Sequence, residues 1–144
     1  MSTYKHPELG QFELDFNIWL NEDATPHFVD GEIIVFFANG TEDAPSPESL
    51  EGYEWIAANW PQVLSLIEAQ VWEYYEPYAD NVEGVPKFNS VQEVWGTELL
   101  LGLNIVSKID FEVTLQFEWQ ADEDDHEITF YVEDGQCDMH SVDG

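Results

Sequence analysis

The stretch Phe111-Glu112-Val113-Thr114-Leu115-Gln116-Phe117, continuing through Glu118 to Trp119, alternates apolar and polar residues without a break. Successive side chains of a strand point to opposite faces. The pattern therefore predicts a half-buried strand, with Phe111, Val113, Leu115, Phe117 and Trp119 inward and Glu112, Thr114, Gln116 and Glu118 outward. The flanking segments read the same way. Residues 98–106 are mostly apolar, and in 127–133 Ile128, Phe130 and Val132 share one parity. Asp134-Gly135 is a hairpin signal ahead of a short strand reaching His140.

Upstream of these strands the period changes. Ser46 followed by Pro47 matches a helix N-cap with proline in the first turn. Pro61 would remove a backbone hydrogen bond and clash with the preceding turn, so the spacing predicts two helices, over about 47–59 and 61–79, or one kinked helix. Leu64, Ile67, Val71, Tyr74, Tyr75 and Tyr78 recur at steps of three and four and form a stripe that should lie across the sheet. Asn81 to Pro86 is a break, and Ser90 can cap a short turn through Trp95. Nearer the N-terminus, Phe12, Leu14, Phe16 and Ile18 alternate with Glu13, Asp15 and Asn17, which predicts one strand. The continuous run Ile33-Ile34-Val35-Phe36-Phe37 suits a strand covered on both faces, and the two should form an N-terminal hairpin.

The expected fold is one α+β domain over residues 1–144, in the order β-β-α-α-β-β-β. An antiparallel sheet of about five to six strands would carry two helices on one face. A chain of 144 residues can bury enough surface to need no staple.

Charge sets the expected class of partner. Asp and Glu number 31 against three basic residues, Lys5, Lys87 and Lys108, for a net charge of -28. Such a field repels phosphate backbones and anionic lipid and draws in cationic proteins. The expected partner is a basic protein, with no direct nucleic acid and no membrane. The same acidity also suits a protein adapted to high salt. Cys137 is the single cysteine and cannot form an internal disulfide, and the first ten residues lack an apolar core of signal-peptide length. A reducing, cytoplasmic setting is the expectation.

Catalytic and metal motifs are thin. Asp122, Asp124, Asp125 and Glu127 form the densest acidic run, but the sixth position counted from Asp122 is Glu127, where a calcium loop needs glycine. A solvated hairpin tip is the simpler reading. His6, His27, His126 and His140 lack zinc-helix spacing, and Cys137 with His140 supplies at most two of four zinc ligands. No phosphate-cradling loop, dinucleotide fingerprint or nucleophile elbow is present. We therefore expect no cofactor and no catalytic residues. A pair of carboxylates could still serve a carbohydrate-active enzyme, which with a sugar-binding domain is the alternative of another class.

The passage Phe117-Glu118-Trp119-Gln120-Ala121-Asp122-Glu123-Asp124-Asp125-His126-Glu127-Ile128-Thr129-Phe130, with the tyrosine-rich helix Val71-Trp72-Glu73-Tyr74-Tyr75 before it, resembles small bacterial domains associated with toxin-immunity loci. In those a strand ending in Trp-Asp turns through Glu-His into the next. Here Trp119 and Asp122 are not adjacent, and Glu127 stands where glycine is usual. The resemblance implies a binder that neutralises a toxin. Together with the acidity, the expectation is an inhibitor of a basic partner, an immunity protein against a nuclease-type toxin, with a DNA mimic that blocks nucleic-acid-binding proteins as the alternative.

The expected partner surface follows from parity. Glu13, Asp15, Glu127 and Glu133 fall opposite the inward residues of their strands, together with Trp19 and Tyr131, two aromatics that could anchor an interface. Glu112 and Glu118 would extend it. Trp72, at the edge of its helix stripe between Glu68 and Glu76, is a second anchor candidate.

Overall fold

The computed structural model describes residues 2–120 and 126–143. Four strands lead: β1 (Thr3–His6), β2 (Gly10–Asp15), β3 (Ile18–Ala24) and β4 (Ile33–Phe37). Two helices follow, α1 (Pro47–Ala58) and α2 (Trp60–Asn81), and after a 3-10 turn at Val91–Glu93 come β5 (Glu98–Ile105), β6 (Phe111–Phe117), β7 (Glu127–Glu133) and β8 (Gln136–Asp143). The strands lie side by side in chain order in one 8-stranded sheet. The α+β class and the two helices agree with the reading above, but the sheet is larger than five to six strands.

The order also differs, and so does the strand pairing. β4 and β5 are parallel while the other neighbours are antiparallel. The cause is the connection. The chain leaves β4, crosses one face as α1 and α2, and re-enters beside β4 in the same direction, as parallel strands require.

Local chemistry explains the helices. Ser46 holds extended φ and ψ, and its hydroxyl accepts from Ser49 N at 3.1 Å. Asn59 separates the helices, one residue before the expected break, and α2 buries Val63, Ile67, Val71, Tyr75 and Ala79. α1 approaches the sheet closely at Gly52, where a Cβ would sit 2.6 Å from Ile105 Cγ2. Side chains larger than hydrogen are excluded there. No helix among the described residues is long and apolar enough to cross a membrane.

The largest correction concerns residues 12–18. They are a hairpin, not one strand: Asp15 pairs with Ile18, and Phe16-Asn17 is a two-residue turn with Phe16 at φ 59°. A turn of that length flips the parity that follows. Phe12 is buried, Leu14 half-buried, Phe16 is 94% exposed, and Ile18 faces solvent. Trp19 accordingly points inward and is 0% exposed, which removes it from the expected partner surface. Its ring lies over Gly40, and its Nε1 donates to Thr41 O at 3.1 Å.

Inward residues run in rows across the sheet. Leu14, Trp19, Phe37, Ile105, Phe111, Val132 and Cys137 are successive cross-strand partners. With the helix stripes they build the core. The Asp134-Gly135 turn joins β7 to β8 with positive φ at both residues, as its sequence requires.

Candidate functional site

The opposite parity builds the face the helices do not cover. One row reads Glu13, Leu20, Phe36, Asn104, Glu112, Tyr131, Met139, each residue the cross-strand partner of the next. A second row passes through Ile34, Gly102, Thr114, Thr129 and Ser141. The middle of this face is apolar. Ile34 is 39% and Leu99 48% exposed, and Leu101, placed by the bulge between Leu100 and Gly102, lines a shallow groove with Ile34 and Phe36.

β4 thus departs from the expectation of a strand covered twice. Its run is apolar on both sides, yet only Ile33, Val35 and Phe37 are buried, while Ile34 meets solvent. An apolar stripe that no other described residue covers is a feature of binding surfaces.

Acids surround that stripe. Glu13 and Asp15 stand on β2, Glu127 and Glu133 on β7, and Glu112 on β6. Six of the nine expected partner residues, these five and Tyr131, therefore share one face. Glu118 lies exposed just past the end of β6. Trp72 is on α2, half-buried with its ring 5.0 Å from Tyr75, and belongs to the helix side. Asp122, Asp124 and Asp125 lie outside the described residues. Glu127 is exposed, and no group of three or more His, Cys, Asp or Glu is placed to hold a metal ion among the described residues.

Glu112 is the most sheltered of these acids, and the fold shifts its titration. It lines a second groove with Asn104, Val106, Asp110, Tyr131 and Glu133. Burial pushes its carboxyl above the ordinary value, and the charge of Glu133 pushes the same way. Tyr131 stands directly across from Glu112, its hydroxyl 2.8 Å from Ser141 Oγ, which fixes the ring at the groove wall. The arrangement offers acceptors and negative potential around apolar contact area.

Sequence parity missed Ile34, Phe36, Leu99 and Phe16. For the first three, the signal was an apolar run longer than alternation needs. Phe16 gave none, because its left-handed backbone is disfavoured for a bulky side chain. A family model described as Domain of unknown function (DUF6985) matches residues 8–139. No curated protein and no solved structure matches the chain.

Proposed function

The chain belongs to the DUF6985 family, and we propose from the surface its own residues build that it is a non-enzymatic inhibitor seating a basic partner protein on the open sheet face. The observation that carries this reading is the uncovered apolar stripe of Ile34, Phe36, Leu99 and Leu101 enclosed by Glu13, Asp15, Glu112, Glu127 and Glu133. Burial of the stripe would supply affinity. The carboxylates would steer a cationic surface and exclude the polyanion that surface normally binds.

The finer reading is an immunity protein against a nuclease-type toxin. A DNA mimic needs carboxylates spread along a strip where phosphates would lie, whereas here the acids rim an apolar middle. That favours one cognate partner whose own apolar residues meet the stripe. Carbohydrate recognition has less support. The six tryptophans, which would stack on sugars, are buried or packed against the core.

The test pairs the protein with a basic toxin encoded beside it and measures inhibition and calorimetric affinity. Ile34→Asp and Phe36→Ser should each weaken binding at least tenfold with little change in melting temperature, and affinity should fall as salt rises. Several unrelated nucleic-acid enzymes bound in competition with duplex DNA would replace immunity with mimicry. Full inhibition by both variants would remove the open face as the site.

A further inference from the structure

On the helix side, remote from the open face, the end of β1, the β1–β2 turn, the β3–β4 loop and α1 line an open pocket of about 570 Å³. That volume lies in the range of small-molecule sites. Its wall includes Tyr4, His6, Glu8, His27, Tyr53 and Glu54. None of these residues entered the sequence-based surface, because they come from three separate segments.

Glu8 organises the wall. Its Oε2 accepts from His27 N at 2.8 Å and from the Tyr53 hydroxyl at 2.9 Å, and lies 2.7 Å from His27 Nδ1. Burial works against the charge, but these hydrogen bonds outweigh it and hold the carboxyl below its usual value. Glu8 is thus a fixed anion, and no described residue donates to its Oε1 in the structure.

His6 adds no positive charge. Its Nδ1 accepts from the backbone N–H of Glu8 and of Leu9, each at 3.1 Å, which puts the ring proton on Nε2. Burial lowers its basicity further, against the pull of Glu8 and Glu54. The ring packs edge-on against Tyr53 at 5.4 Å. The remaining wall group able to carry positive charge is His27, already engaged by Glu8. The pocket therefore combines two carboxylates, the rings of Tyr4, His6 and Tyr53, and an apolar lining from Leu50 and Ala57.

We propose that this pocket binds a compact organic cation, an alkylammonium or guanidinium group on an apolar stem. The charged head would face Glu8 and Glu54, and the stem would lie along the half-buried ring of Tyr4 and the apolar lining of Leu50 and Ala57. Carboxylates answer its charge, the half-buried Tyr4 ring attracts it, and with no lysine among the lining residues only His27 competes for Glu8. An inorganic cation is not the better fit, because no three ligating groups converge there among the described residues. The cation could be a free amine or the tip of an arginine or lysine of a polypeptide.

The two sources separate by titrating agmatine and a capped Gly-Arg-Gly peptide separately into the full chain, following ring-proton shifts of Tyr53, His6 and His27 by NMR. Saturable shifts confined to these residues are expected for agmatine. If the peptide produces them too, the pocket admits a side-chain tip; if agmatine alone does, it takes a free amine. Glu54→Gln, which removes an exposed charge that holds no part of the fold, should weaken binding by up to about fivefold. Glu8→Gln should weaken it more, with melting curves recorded to exclude unfolding. No saturation with either probe, or affinity unchanged in both variants, would overturn the proposal. The experiment uses no protein partner, and Ile34→Asp should leave it unaffected, so its failure would not touch the reading of the open face.

Discussion

Val35 and Ile34 are chain neighbours in β4 and occupy opposite faces of one sheet. Val35 is fully buried under the helices, whereas Ile34 keeps more than a third of its surface in solvent. The same division runs through β3, β5, β6 and β7: inward positions are mostly buried and apolar, with Asn21 an exception, and outward rows are apolar in the middle and acidic around it. Apolar patterning marks where water is unwelcome. It does not say whether the cover comes from this chain or from another.

The largest expected contrast is between Trp19 and Phe16, two large aromatics three residues apart. Trp19→Ala should cost about 3–5 kcal/mol, because it empties a core site under Gly40 and leaves Thr41 O without its donor. Phe16→Asn should instead stabilise the protein, by up to about 1 kcal/mol, since asparagine tolerates the left-handed conformation and the phenyl ring is open to water. Denaturant unfolding measures both. A Phe16→Asn variant less stable than the parent would mean that the exposed ring has a structural partner and that the hairpin tip is not free for binding.

A second, smaller contrast sets Val35→Ala against Ile34→Ala. The buried residue should cost about 2 kcal/mol and the exposed one well under 1 kcal/mol, although isoleucine loses more atoms. Equal costs would show that the open face is covered in the isolated protein and would break the division between the faces.

These contrasts also explain what could be read in advance. The helices, the Ser46 cap, the Asp134-Gly135 turn and the parity of β6 and β7 were legible because each depends on residues close in sequence. β1 was missed because four residues ending before Pro7 are too few to alternate convincingly. The turn at Phe16-Asn17 was missed because hairpin turns with positive φ usually announce themselves by asparagine or glycine at the first position. That single omission carried Trp19 to the wrong face while leaving Glu13 and Asp15 on the right one. The parallel pairing of β4 with β5 depends on where two helices return the chain, which no local pattern encodes. The pocket around Glu8 depends on contacts between residues as far apart as Glu8 and Tyr53.

Salt should act on the whole surface at once. With -28 formal charges and few internal partners, self-repulsion weakens the fold at low ionic strength. Melting temperature should therefore rise between about 0.01 M and 1 M monovalent salt, over which the screening length falls from roughly 30 Å to 3 Å. Partner binding should weaken over the same range. A flat or falling melting temperature would mean that the acids on the open face are spaced widely enough not to repel.

The smallest expected effect isolates one of those acids. Glu112 is half-buried on the open face, and burial, joined by the charge of Glu133, raises its carboxyl above the ordinary 4.5. The folded state therefore holds its proton more tightly than the unfolded state. Stability from this group is fully present below pH 4.5 and is lost as the pH climbs through the raised folded value. Above that value the ionised carboxylate is a net cost, which Glu112→Gln removes. The variant should thus melt higher than the parent at pH 7, and the gap should close on acidification toward pH 4.5. Glu127→Gln, which removes one charge at an exposed position on the same face, is the reference variant. If the two variants behave alike, Glu112 is merely one charge among many. If Glu112→Gln also abolishes partner binding at pH 7 despite its higher melting temperature, the cost of burying that charge is retained for recognition.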